Sequence, residues 1–287
     1  MDSITRKAYA KINLGLDVIR KRPDGYHEVK MIMQTVDIWD LLTFRKISNP
    51  GIFLSADRQE IPAGADNLVY KAADLILQEY DVSGGVEIVL EKHIPVAAGM
   101  AGGSTDAAAV FHGLNQLFDL GMSLGEMQRL GVKIGADVPY CIMGGTALSE
   151  GIGEVLTPLE PPPACTLLVA KPDISVSTKF VYENLHADKL TRHPDIDGMI
   201  EAVREGNLAG ITERMENVLE TVTIKEYPVI QKIKKAMTGK GAENALMSGS
   251  GPTVFGIFKE ENTAREAEKE IKKQGLASQV FVTAFYP

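Results

Sequence analysis

Three glycines and two hydroxyls stand directly ahead of an alanine run in PVAAGMAGGSTDAAA, Pro95 to Ala109. Glycine weakens regular elements, whereas alanine is the best helix former, so a loop that must approach something closely gives way at once to a helix. Gly99, Gly102 and Gly103 permit backbone conformations in which successive N–H groups turn inward as a cradle. Ser104 and Thr105 add hydroxyl donors, and the following helix brings the partial positive charge of its N-terminus to the same place. Pro95, Val96, Ala97, Ala98, Gly99, Met100, Ala101, Gly102, Gly103, Ser104 and Thr105 therefore form a candidate anion site suited to a polyphosphate. A strand-to-helix turn that binds nothing would use the same glycines. Two familiar alternatives are missing: there is no G-x-x-x-x-G-K-[ST], and no G-x-G-x-x-G follows the preceding strand.

The elements around this stretch read as mixed α and β. The first ~55 residues alternate as strands, with a Pro-Asp-Gly turn signal in RPDGYH. NLVYKAADLILQEY places Leu68, Ala72, Leu75 and Ile76 at helical spacing behind the capping pair Asp66-Asn67. Val86 to Glu91 is a strand ended by Pro95, and DAAAVFHGLNQLF is the helix after the glycines. Ser123 with Glu126 opens a further helix as a capping box. A short turn is expected at Asp137-Val138-Pro139, then a hairpin over Gly144 to Glu154. The three prolines of LEPPPA make the best linker, which suggests two domains, 1–159 and 160–287. Beyond it come a buried strand (CTLLVAKP), a short helix (STKFVYENL) and helices around GMIEAVREG, LAGITERMEN and YPVIQKIKKAM. Strand, glycine loop, strand, helix and strand then close the chain. The Ser248 to Thr253 loop either closes over a ligand or is a tight turn where glycine lets segments touch.

Composition limits the function classes. The chain has 287 residues, 45% hydrophobic and 24% charged, with a net charge of −8. An acidic chain without a basic, aromatic-laced stripe argues against a nucleic-acid surface. No apolar run approaches the roughly 20 residues of a membrane span, and the N-terminus lacks an apolar export core, so a cytoplasmic protein is expected. Cys141 and Cys165 lack metal-site spacing and read as buried small hydrophobes.

PVAAGMAGGSTDAAA resembles the phosphate-binding motif of the GHMP kinases. AKINLGLDVIRKRPDGYHEVKMIMQTVDIWD, GADVPYCIMGGTALSEGIGE and MSGSGPTVFGIF follow in the family order, so the resemblance runs from about Lys7 to the C-terminus. The DGYHE and GADVP blocks are similar to the branch whose acceptor is a cytidine diphosphate-linked methylerythritol. The commoner wording of the phosphate loop has a leucine, a third consecutive glycine and two serines, where this chain has Met100, Ala101 and Ser104-Thr105. The resemblance implies an α+β, two-domain GHMP kinase fold. Its N-terminal α/β domain would be ribosomal-protein-like and its C-terminal α/β domain ferredoxin-like, with the active site in the cleft between them. It also implies ATP as co-substrate, with Lys92 or His93 toward the adenine end, and Mg2+ with the ATP. No carboxylate stands out as a metal ligand.

In-line phosphoryl transfer needs an oriented hydroxyl, charge stabilisation and a place for the proton. The resemblance puts Lys11 and Asp137 at that task. An ammonium keeps a nearby carboxylate ionised and steadies charge on the attacking oxygen, while the carboxylate, a weak base, chiefly orients the hydroxyl. A cytosine ring is held by stacking and identified through its edges. The family pattern implies Tyr26 and Tyr182 as the two faces, with Phe180 the rival for Tyr182. His27 and Thr178 would be hydrogen-bonding partners. Asn13, two residues from Lys11 on the same strand face, suits the methylerythritol hydroxyls. A sensor of the same fold would need neither Lys11 nor Asp137.

Overall fold

A computed structural model describes residues 2–287, which divide into two compact units, each assembled from separated chain segments. The first comprises residues 2–10, Ile38–Val96 and Ala101–Met143; the second comprises Lys11–Asp37, Ala97–Met100 and Gly144–Pro287. Strands β1 (Ser3–Lys21) and β2 (His27–Ile47) each begin in one unit and end in the other.

In the first unit, β4 (Gly85–Glu91) runs antiparallel to β2, from Leu41↔Glu91 to Ile47↔Gly85. Strand β3 (Gly51–Ala56) runs parallel to β4, a geometry that requires a crossover. Helix α1 (Leu68–Glu79) supplies it. Asn67 caps α1 by accepting from Val69 N–H, and Val69, Ala72, Ala73 and Ile76 recur at helical spacing as its buried face. Helices α2 (Gly102–Phe118), α3 (Leu124–Gly131) and α4 (Val138–Met143) complete the unit. Its core joins Leu42, Phe44, Ile88, Phe111 and Leu114. Gly113 sits mid-helix because the Phe44 ring occupies the space: a Cβ there would lie 2.5 Å from its Cε2.

Two sequence expectations need correction here. Helix α2 begins at Gly102 rather than after Thr105, so Gly102 to Thr105 are its first turn, closed by Thr105 N–H donating to Ala101 O. Ala101 takes the left-handed conformation (φ +56°) and caps without a side chain. Of the turn expected at Asp137-Val138-Pro139, Asp137 does lie in a turn, but Val138 and Pro139 are the start of helix α4. Proline fits a first helical turn, where its missing N–H has no bond to make, and Gly144 (φ +71°) and Gly145 (φ +72°) follow the helix.

In the second unit, β5 (Thr146–Gly151) pairs antiparallel with β2, Val29↔Gly151 to Gln34↔Thr146, and with β6 (Val155–Leu159). A four-stranded sheet, order β10-β7-β9-β8, is built from β7 (Thr166–Lys171), β8 (Asn244–Met247), β9 (Val254–Phe258) and β10 (Gln279–Ala284). Each neighbouring pair in it is antiparallel. Helices α9 (Val229–Thr238) and α10 (Glu261–Lys273) pack on this sheet through Ile230, Ile233, Met237, Ala264, Ala267 and Ile271. Helices α5 (Thr178–Asn184), α6 (Ile196–Arg204), α7 (Leu208–Glu213) and α8 (Glu220–Glu226) lie between β7 and α9 in the chain. Both cysteines are half-buried rather than fully buried. Cys141 lies on α4, and Cys165 follows the prolines, where burial pushes its thiol up to about 12.

Candidate active site

Lys11 and Asn13 lie on one face of β1, as the two-residue period of a strand dictates. Both are buried, and the Lys11 ammonium donates to Asn13 Oδ1 at 2.9 Å. The Lys11 main-chain N–H donates to Met100 O at 3.2 Å, tying the lysine's strand to the glycine stretch. Gly99 (φ +72°) is where that stretch meets the second glycine loop: a Cβ would stand 2.3 Å from Ser248 O. Ser248 Oγ donates to Gly99 O at 2.9 Å. A Cβ on Gly249 (φ +56°) would be 3.3 Å from Gly99 O and 3.5 Å from Asn13 Oδ1. The Ser248 to Thr253 loop is thus a close-packed neighbour of Gly99 and Asn13, as only glycine allows.

That loop is fixed from behind by Asn217, whose amide donates to Met247 O and Gly249 O, both at 2.8 Å. The hydroxyls of Thr178 and Ser250 are 2.8 Å apart, which connects the loop to α5. Tyr182, one turn on from Thr178 and so on the same helix face, has its ring 5.1 Å from that of His27, tilted by 39°. Burial, with Lys21 nearby, holds His27 below its ordinary value, so the ring is neutral at neutral pH and can both donate and accept. Tyr26 is 58% exposed at the β1–β2 turn, and Phe180 is exposed on α5.

The first unit holds the other candidates. Thr105 is buried and its hydroxyl donates to Tyr9 O, so this expected cradle donor is engaged with the protein itself. Ser104 Oγ is 4.0 Å from the Cβ position of Gly135, which places the start of α2 beside the segment entering α4. Asp137 stands in that segment, half-buried, and its carbonyl accepts from Cys141 N–H at 3.0 Å. The Lys92 ammonium is buried and paired with Asp40 and Asp106. The His93 ring meets Trp39, its Nδ1 3.1 Å from Trp39 O.

Residues 67–145 match the model of the GHMP kinases N terminal domain, and residues 199–277 match that of the GHMP kinases C terminal. A 4-diphosphocytidyl-2-C-methyl-D-erythritol kinase from Lachnoclostridium phytofermentans is 54% identical over 286 residues, covering 100% of this chain and 98% of the relative. The chain belongs to the GHMP kinase family. Its fold is the two-domain, mixed α and β fold of that family. A solved 4-(cytidine 5'-diphospho)-2C-methyl-D-erythritol kinase superposes with a TM-score of 0.85 at 32% identity, covering 99% of this chain and 100% of that one. A homoserine kinase from Cytophaga hutchinsonii, at 22% identity, shares the fold with a TM-score of 0.81, covering 99% and 95%.

Several residues of this GHMP kinase escaped the sequence reading. Asn217, between α7 and α8, and Thr223 of α8, which donates to Ser250 O at 3.3 Å, hold the second glycine loop from distant parts of the chain. Asp17, buried on the Lys11 face of β1, accepts from His193 Nδ1 at 2.9 Å. Period-two spacing from Lys11 would have found Asp17; nothing local announces Asn217. Among the described residues, no group of three or more His, Cys, Asp or Glu is placed to hold a metal ion. No helix among them is long and apolar enough to cross a membrane.

Proposed function

We propose that this chain transfers the γ-phosphoryl group of ATP to the 2-hydroxyl of 4-diphosphocytidyl-2-C-methyl-D-erythritol. The products are the 2-phosphate and ADP, in the non-mevalonate route to isoprenoid precursors. The observation that carries the reading is a continuous run of contacts within one unit. The His27–Tyr182 ring pair leads along α5 to Thr178, through Ser250 to the second glycine loop, and on to Gly99 and Asn13. A ring-holding pair is thereby tied to a phosphate-holding stretch, which is what an acceptor with a nucleotide end requires. The full-length relative of that name supports the same acceptor.

In this reading Pro95 to Thr105 hold the ATP phosphates through main-chain N–H groups, the Ser104 hydroxyl and the start of α2. Asp137 orients the acceptor hydroxyl and receives its proton as the O–P bond forms. Lys11 steadies the charge on the attacking oxygen. Asn13 bonds the methylerythritol hydroxyls, and Tyr26 and Tyr182 sandwich the cytosine while His27 and Thr178 bond its edge and linkage. Magnesium would come as the ATP complex and would neutralise phosphate charge; among the described residues no carboxylate cluster is placed to hold it. We take 1–159 and 160–287 as the two family domains, with the matched segments 67–145 and 199–277 falling on either side of that division. The protein acts in the cytoplasm on small molecules, without nucleic acid or membrane partners.

The test is a coupled ADP-release assay with MgATP and four acceptors: diphosphocytidyl-methylerythritol, mevalonate, homoserine and galactose. Turnover confined to the cytidylated acceptor is expected. Turnover with another acceptor would retain the phosphate loop and discard the cytosine clamp. ATP binding with no turnover on any would mark a sensor.

A further inference from the structure

Three charged side chains are buried together in the first unit. Lys92 follows the end of β4, Asp40 is on β2 and Asp106 is on α2, and none is more than 4% exposed. The Lys92 ammonium donates to Asp40 Oδ2 and, at 2.8 Å, to Asp106 Oδ2. The two carboxylates are not equivalent. Asp40 Oδ1 also accepts from the main-chain N–H groups of His93 (2.5 Å) and Ile94 (2.8 Å), so three donors converge on Asp40. Asp106 has Lys92 as its ion-pair partner, and its Oδ1 is buried without a hydrogen-bond partner. One ammonium cannot balance two buried carboxylates, and an ionised oxygen left bare is costly where a neutral carboxyl group is less so.

Lys92 and Asp40 are the charged groups that bear most on Asp106. Helices α1, α3 and α4 pack along α2 and bury Val69, Ala72, Ala73 and Ile76, Met127 and Leu130, and Val138, Tyr140 and Ile142. Burial, followed by the charge of Asp40, pushes the Asp106 carboxyl well above the usual carboxylate range against the pull of Lys92.

The cluster's position gives a proton on Asp106 a use. Lys92 precedes Pro95 by three residues and Asp106 follows Thr105 directly, so the cluster clasps both ends of the loop. The Cβ position of Gly102 is 3.3 Å from the Lys92 ammonium. We propose that Asp106 is a positioning residue for nucleotide binding, carried as a neutral acid so that the buried cluster against the loop has no net charge when a polyphosphate binds. This rests on the reading of Pro95 to Thr105 as the ATP loop. An ionised Asp106 would set an uncompensated buried negative charge against the phosphates.

The test follows two readouts on the full-length protein as pH rises: the infrared carbonyl stretch of a protonated carboxyl group, and ADP affinity by calorimetry. In wild type the band is present at neutral pH. Once it begins to disappear, the ADP Kd rises by up to roughly tenfold per pH unit, the signature of one linked proton. Asp106→Asn, whose amide oxygen can accept from Lys92 as the carboxyl group does, lacks the band. It should bind ADP within about threefold of wild type at neutral pH and show no alkaline fall over that range. A missing band, a band untouched by Asp106→Asn, or a band lost without change in affinity overturns the proposal. The wild-type titration decides by itself if the variant does not fold. Wild type that shows the band but binds no nucleotide would overturn the ATP loop reading and the coupling with it, leaving only the neutral acid. Binding without the band would overturn the neutral acid alone.

Discussion

Lys11 illustrates how little a single residue says and how much its neighbours add. Alone it is a strand lysine; in the fold it is buried, bonded to Asn13, and its backbone is bonded to Met100. Asp137 is likewise an ordinary helix-entry aspartate until the family blocks are read together. If it orients the hydroxyl and takes the proton, Asp137→Asn should lower kcat by about 10²- to 10⁴-fold while leaving ATP affinity nearly unchanged. Steady-state kinetics beside calorimetry reads both, and a kcat within about threefold of wild type removes Asp137 from the mechanism. Tyr182 and Phe180 are separated by the same logic. Base stacking is worth about 1–3 kcal/mol, so Tyr182→Ala should raise the acceptor KM by roughly five- to 150-fold with ATP KM unmoved. Phe180→Ala should change neither constant by more than about twofold; the reverse pattern would exchange the two residues. Sequence located Asn13 through strand periodicity, but it gave no sign of Lys92's partner Asp40, 52 residues away, because pairing across elements is a tertiary fact.

The elements were legible where pattern and capping agreed and illegible where they conflicted. Helix α1 announces itself by Asn67 and an apolar stripe, and α3 by Ser123, whose hydroxyl accepts from Glu126 N–H. Helix α8 carries β-branched Thr221, Val222, Thr223 and Ile224 and has no side-chain cap, so propensity argues against the helix that packing imposes. The start of α2 was hidden by its glycines, which read as loop although they form a helical turn. Gly113 offers a test in which packing and propensity have opposite signs. Alanine there should gain about 1 kcal/mol in helix propensity, yet its Cβ must displace the Phe44 ring, an overpacking cost of about 1–3 kcal/mol. Gly113→Ala is therefore expected to be neutral to destabilising, and urea unfolding should show no rise in midpoint. A clear rise would mean that the ring moves aside freely.

At the scale of the whole chain, the blocks made the family legible but not the interleaving of the two compact units, because contacts between distant segments decide it. The C-terminal residues belong to the second unit and bond to the β2 segment there. Val36 bridges Phe285, Tyr286 N–H donates to Thr35 O at 2.9 Å, and Gln34 Nε2 donates to Tyr286 O at 3.0 Å. Deleting 285–287 should leave a buried amide short of a partner and destabilise the fold by about 1–3 kcal/mol, measurable as a lower Tm. An unchanged Tm would mean that the closure contributes nothing to stability.

The bond from Lys11 N–H to Met100 O has a consequence for how such an enzyme can diverge. It is made by main chain on both sides, so no side-chain substitution deletes it unless proline enters at position 11. The register between the lysine's strand and the phosphate stretch is thereby insulated from drift in the residues proposed to grip the acceptor. Asn13, Tyr26, His27 and Tyr182 can be rewritten for a different alcohol while the lysine keeps its station beside the loop. A lineage built this way can change what it phosphorylates without relearning how.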